Sequence, residues 1–334
     1  MKYVKLHSEN FGDFFTYLMG LGDLYAPVKK GGIHTFQKVL KPKNIDFHYT
    51  RTMLPPKKFF VKPKEELFRP EGKGMENTTE NTPLILLGLH SCDIHGLQIL
   101  DKVYLSEPAD PYYRARRERS IVIGMSCIPD EYCFCRSLGT DFAMSGFDLF
   151  LHELPDGWLV RVGSIRGHEI VWANEGLFDE VSDEDFTNFR TFEEKRARAF
   201  RREVKKEGLA DILDLAYGSP IWSEYAERCL ACGNCTLVCP TCRCYEVCDR
   251  WLNAYDTVRE RRYDSCFMEG HGLVAGGHNF RPTRLDRFRH RYYCKNYFDP
   301  EAGFNCVGCG RCDEFCPAGI EHVKVLEEIR GSLR

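Results

Sequence analysis

The sequence is informative first for what it lacks. Its most apolar run, Pro83 to Leu89, falls far short of the ~20 residues that a membrane-spanning helix needs. The opening MKYVKLHSEN has no apolar core of a secretory signal, so a cytoplasmic location with no membrane span is expected. Neither sign of charge dominates. A net charge of −3 over 334 residues gives no overall attraction to nucleic acid or to an anionic membrane. No G-x-G-x-x-G follows a strand-like run, G-x-x-x-x-G-K-[ST] is absent, and Gly20-Leu-Gly22 lacks both the third glycine and the strand. NAD and ATP are therefore not expected on the standard phosphate loops, whereas flavin, which several folds bind without such a fingerprint, stays open. No nucleophile and base stand out as a pair, so one-electron chemistry is expected in place of bond making.

What the chain has in excess is cysteine, 17 in all. A disulfide framework suits small secreted domains, and an odd count leaves one thiol over. In a large chain without an export signal, closely spaced cysteines point to metal.

Hydrophobic residues at 43% and charged residues at 28% describe an ordinary globular protein with room for two domains. Residues 1–215 read as an α/β domain. Pro83–Leu89 and Ser120–Met125 have the continuous apolar character of buried strands. Between them Asp93 is placed to cap a helix running to about Leu105, with Ile94, Leu97, Leu100 and Val103 on one face. Strand, helix, strand at this spacing predicts a parallel pair with a crossover helix. Phe147–Leu154 and Trp158–Val162, joined by Pro155-Asp-Gly157, predict a hairpin. From Asp183 to Glu207 the charge density predicts a solvated helix and connector. A boundary is placed near Tyr217-Gly-Ser-Pro220, after which residues 216–334 hold most of the cysteines.

One motif occurs twice. Cys229-Leu-Ala-Cys232-Gly-Asn-Cys235-Thr-Leu-Val-Cys239-Pro240 has the spacing C-x2-C-x2-C-x3-C-P, repeated as Cys306-Val-Gly-Cys309-Gly-Arg-Cys312-Asp-Glu-Phe-Cys316-Pro317. Three cysteines on such a loop reach three irons of one [4Fe–4S] cubane, and the fourth, before proline, reaches the other cluster of a pair. On that logic Cys229, Cys232, Cys235 and Cys316 hold one cluster, and Cys306, Cys309, Cys312 and Cys239 the other. Gly233 and Gly310 suit backbone that must wrap closely and donate N–H groups to sulfur. Zinc is the alternative, but zinc sites use pairs of C-x2-C, not two quartets each ending in Cys-Pro. Residues 240–305 separate the motifs and must fold back between them. The expected fold is thus an α/β N-terminal domain followed by a mainly helical, ferredoxin-like dicluster domain carrying an insert.

Cys92 follows the first buried strand and Cys127 the second. If the strands are neighbours, both lie at the edge where open α/β sheets build ligand sites. Cys133-Phe-Cys135 completes four thiols, a candidate third cluster; small buried hydrophobes are the alternative. Asp93 and His95 are reserve ligands, read first as a helix cap and a surface histidine. Cys242, Cys244, Cys248, Cys266 and Cys294 are read as packing around the clusters. His278 and Asn279 either donate hydrogen bonds to a cluster or partner, or close a loop. The basic, aromatic-rich stretch Arg281–Lys295 is read as a structural or partner-docking face in preference to a nucleic-acid site.

Cys239-Pro-Thr-Cys-Arg-Cys244, Tyr263-Asp-Ser-Cys266 and Leu273-Val-Ala-Gly-Gly-His-Asn-Phe-Arg-Pro-Thr283 resemble the iron–sulfur β subunit of cytoplasmic NiFe sulfhydrogenases. They are also similar to the corresponding iron–sulfur subunit of anaerobic sulfite reductase and to the ferredoxin subunit that works beside heterodisulfide reductase. Leu54-Pro-Pro-Lys-Lys-Phe59, His90-Ser-Cys-Asp-Ile-His95, Asp110-Pro-Tyr-Tyr113 and Cys133-Phe-Cys135 extend the resemblance over most of the chain. It departs at His90-Ser91, where the family tends to Arg-Pro, and at Cys248 and Cys294. The resemblance implies an electron-transfer component of an anaerobic oxidoreductase. Such a component relays electrons between a flavin- and NAD(P)-binding reductase partner and a catalytic subunit, whether hydrogenase, sulfite reductase or heterodisulfide reductase. The alternative is a self-contained iron–sulfur oxidoreductase whose α/β domain binds its own flavin or substrate.

Overall fold

The computed structural model describes residues 2–71, 74–77, 82–253, 256–300 and 303–333. The strands that organise it are β1 (Lys2–His7), β2 (Asp23–Lys30), β3 (Ile33–Lys38), β4 (Lys64–Glu71), β5 (Gly74–Asn77), β6 (Leu84–Leu89), β7 (Ser120–Met125), β8 (Leu149–Leu154), β9 (Gly157–Val162), β10 (Phe178–Asp179), β11 (Tyr245–Trp251) and β12 (Thr257–Tyr263). An eight-stranded sheet runs in the order β10-β1-β9-β8-β7-β6-β2-β3. Its centre is parallel, β2 with β6, β6 with β7 and β7 with β8. Strands β6 and β7 are buried along almost their whole length, because helices and loops cover both faces of a parallel sheet and no position needs a polar side chain. The β8–β9 hairpin forms in register Leu154↔Gly157.

Helix Ser91–Tyr104 crosses from β6 to β7 and starts two residues before Asp93, with His90 at its N-cap. The expected cap at Asp93 is therefore not formed. Asp93 instead pairs with Arg311 through two bonds of 2.7 and 2.9 Å, and both side chains are fully buried. Arg311 Nε also donates to the Thr52 carbonyl at 2.8 Å. This pair ties the second cysteine motif to the carboxyl end of the sheet. The charged helix Asp183–Ala199 begins on a capping box between Ser182 and Asp185 and is not wholly solvated. Arg196 turns inward and donates to the Cys127 carbonyl at 3.1 Å, because a loop carbonyl beneath the helix has no strand partner to satisfy it.

Residues 240–305 depart from the expected helical character. The β11–β12 hairpin joins β4 and β5 in a four-stranded antiparallel sheet, order β11-β12-β4-β5, so strands from both sides of residue 215 share one sheet. The strands are stitched by opposite charges: Arg259 to Asp249 at 2.7 Å, Arg262 to Glu246 at 2.7 Å, and Arg250 to Glu260. A ladder of charge pairs stabilises a sheet while leaving no alternation of apolar residues to read. Beneath it Glu65 accepts from Arg261 at 2.8 Å and from Arg116. A second apolar core, built on Trp222, Phe288, Tyr292, Val325 and Ile329, includes Phe134 from the Cys133–Cys135 loop.

Arg311→Met strands the Asp93 carboxylate in the interior and lowers stability by ~3–5 kcal/mol, whereas Asp93→Leu with Arg311→Met restores most of the loss. Denaturant unfolding of the three proteins under anaerobic conditions measures this; equal losses in the single and double variants would contradict it.

Candidate cluster-binding sites

The sequence repeat is a structural repeat. Gly233 and Gly310 have φ of 75° and 72° and each opens a one-turn helix, Asn234–Leu237 and Arg311–Glu314. Two residues earlier, Ala231 and Gly308 are also left-handed, at 51° and 62°. Their N–H groups point back at sulfur: Ala231 N to Cys229 Sγ and Gly308 N to Cys306 Sγ, each 3.4 Å. Ile320 N reaches Cys316 Sγ at the same distance. Backbone amides aimed at sulfur favour the thiolate over the thiol. Within the two loops the amides that do this belong to the residues just before the second cysteines, Ala231 and Gly308, not to the predicted glycines, which supply the turns.

The loops bring together cysteines that are distant in sequence. Cys229, Cys235, Cys312 and Cys316 line one small cavity. Cys229 interacts electrostatically with Cys232 and Cys316, and Cys235 with Cys229 and Cys316. Cys239 lies with Cys306 and Cys309, and Cys312 interacts with both of the latter. Cys232 alone of the eight is exposed. Burial pushes the Cys306 thiol up to about 12 and raises Cys235, with Arg291 opposing. Cys239 is drawn well below the usual thiol range by a hydrogen bond from Cys242.

The four N-terminal cysteines also converge. Cys92 interacts with Cys135, Cys127 with Cys133, and Cys135 with both Cys133 and Cys127. Burial raises all four, Cys127 to about 12. The parallel pairing of β6 and β7 puts Cys92 and Cys127 at one sheet edge. Arg51, buried beside them, donates to Cys133 Sγ at 3.1 Å and to the Cys309 carbonyl at 3.1 Å, and pairs with Asp130 and Glu314. The reserve ligands lie elsewhere: Asp93 is held by Arg311, and His95 Nε2 sits 3.1 Å from the Phe142 carbonyl. Asn279 closes its loop, donating to the Glu269 carbonyl and accepting from Arg281 N, each at 2.8 Å.

Sequence reasoning missed the cations. Lys57, Arg291 and Lys295 are each less than 5% exposed and have no carboxylate partner among the described residues. Arg291 Nη1 has no hydrogen-bond partner at all. A buried, unpaired cation is costly, and an anionic cubane on four thiolates is the kind of charge that offsets it, so the donor set fits an iron–sulfur cluster. The signal was present: Phe288, Arg291, Tyr292 and Lys295 share one helical stripe, with basic residues where core residues belong. No three His, Cys, Asp or Glu among the described residues converge on a single ion.

Paired cysteine loops, amides aimed at sulfur and a cationic interior define an iron–sulfur protein, and residues 228–320 match the family described as 4Fe-4S dicluster domain. The chain belongs to the sulfhydrogenase β-subunit family: it is 65% identical over 333 residues, covering 100% of both chains, to Sulfhydrogenase 2 subunit beta of Pyrococcus furiosus. No solved structure matches it.

A Cβ at Gly308 meets the Cys135 backbone nitrogen at 2.6 Å, whereas one at Gly319, also left-handed at 60°, meets open space. Gly319→Ala is expected to cost the ~1–2 kcal/mol of a left-handed alanine, and Gly308→Ala distinctly more, because the Cys133–Cys135 loop must move. Paired unfolding curves check the order of the two.

Proposed function

We propose that this chain relays single electrons between a flavin- and NAD(P)-binding partner and the catalytic subunit of a cytoplasmic hydrogenase complex. The name of its relative favours hydrogenase over sulfite reductase or heterodisulfide reductase as that catalytic partner. One observation supports the reading: the three groups of four cysteines proposed as cluster ligands lie next to one another. Cys229, Cys235 and Cys316 of the first set share a cavity with Cys312. Cys312, with Cys239, Cys306 and Cys309, belongs to the next set, and Cys309 packs with Cys92 of the third in one small apolar cluster. Phe134 N to the Gly308 carbonyl, 2.9 Å, joins the last two loops directly.

A bound [4Fe–4S] cubane takes up and gives back one electron without making or breaking a bond on a substrate. The chain's own residues set where and how readily that happens. Arg51, donating to Cys133 Sγ, and Arg291, beside Cys235, stabilise extra negative charge and so favour the reduced state. Exposed Cys232 and Leu230, the latter 62% exposed, put the first set at the surface, where a partner can approach. All 17 cysteines are free, as suits a reducing compartment. No helix among the described residues is long and apolar enough to cross a membrane.

The full chain, purified anaerobically, is expected to carry about twelve irons or more with matching sulfide. Cys135→Ala is expected to remove about four of them and leave the rest. An iron-free, colourless chain overturns the reading. NAD(P)H-dependent dye reduction by the chain alone would instead favour a self-contained oxidoreductase with its own flavin.

A further inference from the structure

Four of the cysteines that the repeat does not use meet at one place. Strands β11 and β12 pair with Tyr245 opposite Tyr263, and Asp264 N donates to the Cys244 carbonyl at 3.2 Å. The hairpin's open end therefore carries Cys244, just before β11, and Cys266, just after β12, to the same point. Cys242 stands two residues before Cys244. Cys294 arrives on helix Arg284–Asn296, with Arg291 and Lys295. All four, with His271 and His290, line a cavity of about 320 Å³, against the ~10–15 Å³ that one water requires.

We propose that Cys242, Cys244, Cys266 and Cys294 bind a further iron–sulfur cluster, beside the one held through Cys239. All four cysteines line the same cavity, and the closed register at the hairpin's open end keeps Cys244 and Cys266 next to each other. Cysteines that only fill space sit among apolar neighbours and need no charge nearby. These face buried cations instead. Lys57 Nζ donates to the carbonyls of Cys242 at 3.0 Å and Thr236 at 3.4 Å and lies 4.9 Å from the Tyr263 ring centre, with no carboxylate partner among the described residues. Lys295 Nζ donates to the Thr241 hydroxyl at 3.0 Å. Thiolates bearing a cluster supply the negative charge that these ammonium groups lack among the described residues. His271, 2.6 Å from Asp264, lines the cavity on the side next to the hairpin.

The site needs neither the direction nor the partners of the proposed relay, only that the chain assembles clusters. The test is iron and acid-labile sulfide per full-length chain, purified anaerobically, with low-temperature electron paramagnetic resonance of the dithionite-reduced protein. The unaltered chain is expected to hold about sixteen irons. Cys244→Ala and Cys266→Ala are each expected to lose about four and one set of resonances, with unfolding temperature near that of the parent. Cys248→Ala, on β11 and outside the cavity, is expected to change nothing. Should both buried-site variants lose all iron through misfolding, half-buried Cys294→Ala decides: a loss of about four irons supports the site, and unchanged content overturns it. Unchanged iron in Cys244→Ala and Cys266→Ala, or loss of one zinc instead of four irons, also overturns it. Dye reduction by NAD(P)H in a chain that loses iron as expected would sink the relay and leave this site standing.

Discussion

Two opposite charges, taken wholly out of water, hold the molecule's two cores in register. Asp93 stands in the first turn after β6, and Arg311 lies inside Cys309-Gly-Arg-Cys312. Neither charge is tolerable in the interior alone, and together, with Arg311 also bound to the Thr52 carbonyl, they are. The pair fixes the second cysteine loop against the carboxyl end of the parallel sheet. That placement brings Gly308 against Cys135 and Cys309 against Cys92. The contiguity of the cysteine sets follows from it.

The interior around the sulfurs is a contest between burial and charge. Burial drives thiols toward the neutral form, as it does for Cys92, Cys127 and Cys306. Arginines and lysines, with backbone amides, push the other way. Burial works against the charge on Lys295, yet Cys239 and Cys242 hold its ammonium above the usual range. Burial holds most of these sulfurs protonated until metal arrives, so binding must displace their protons and assembly is a proton-releasing step. Such an interior also biases any bound cluster toward accepting an electron, because added negative charge meets fixed positive charge.

The four-stranded sheet gives the region between the two motifs its own task. By pairing β12 with β4 it binds residues 245–263 to the N-terminal half, and the buried Glu65 carboxylate, gripped by Arg116 and Arg261, pins the seam. The open end of the same hairpin delivers Cys244 and Cys266 to a cavity floored by the basic helix Arg284–Asn296. A connection that had to fold back thus lines the cavity proposed as a further cluster site.

Much of this was legible in the chain itself, and the reason is that the decisive signals were local. The spacing of Cys229–Cys239 and Cys306–Cys316 dictates how three sulfurs sit on one loop, and that alone identified a dicluster domain. Continuous apolar runs in β6 and β7 marked parallel strands, and their adjacency drew Cys92 and Cys127 together before any contact was known. What tertiary structure alone decided was non-local. Charge-paired strands such as Thr257–Tyr263 carry no apolar alternation, so their partner β4 could not be read from them. Asp93 read as a cap because a carboxylate at a helix start is usually one, and only the folded chain supplies Arg311. Whether Cys242, Cys266 and Cys294 were filler or a site depended on which of them met, and on the cations that met them. A one-dimensional pattern does not contain distances between residues that the chain brings together from far apart.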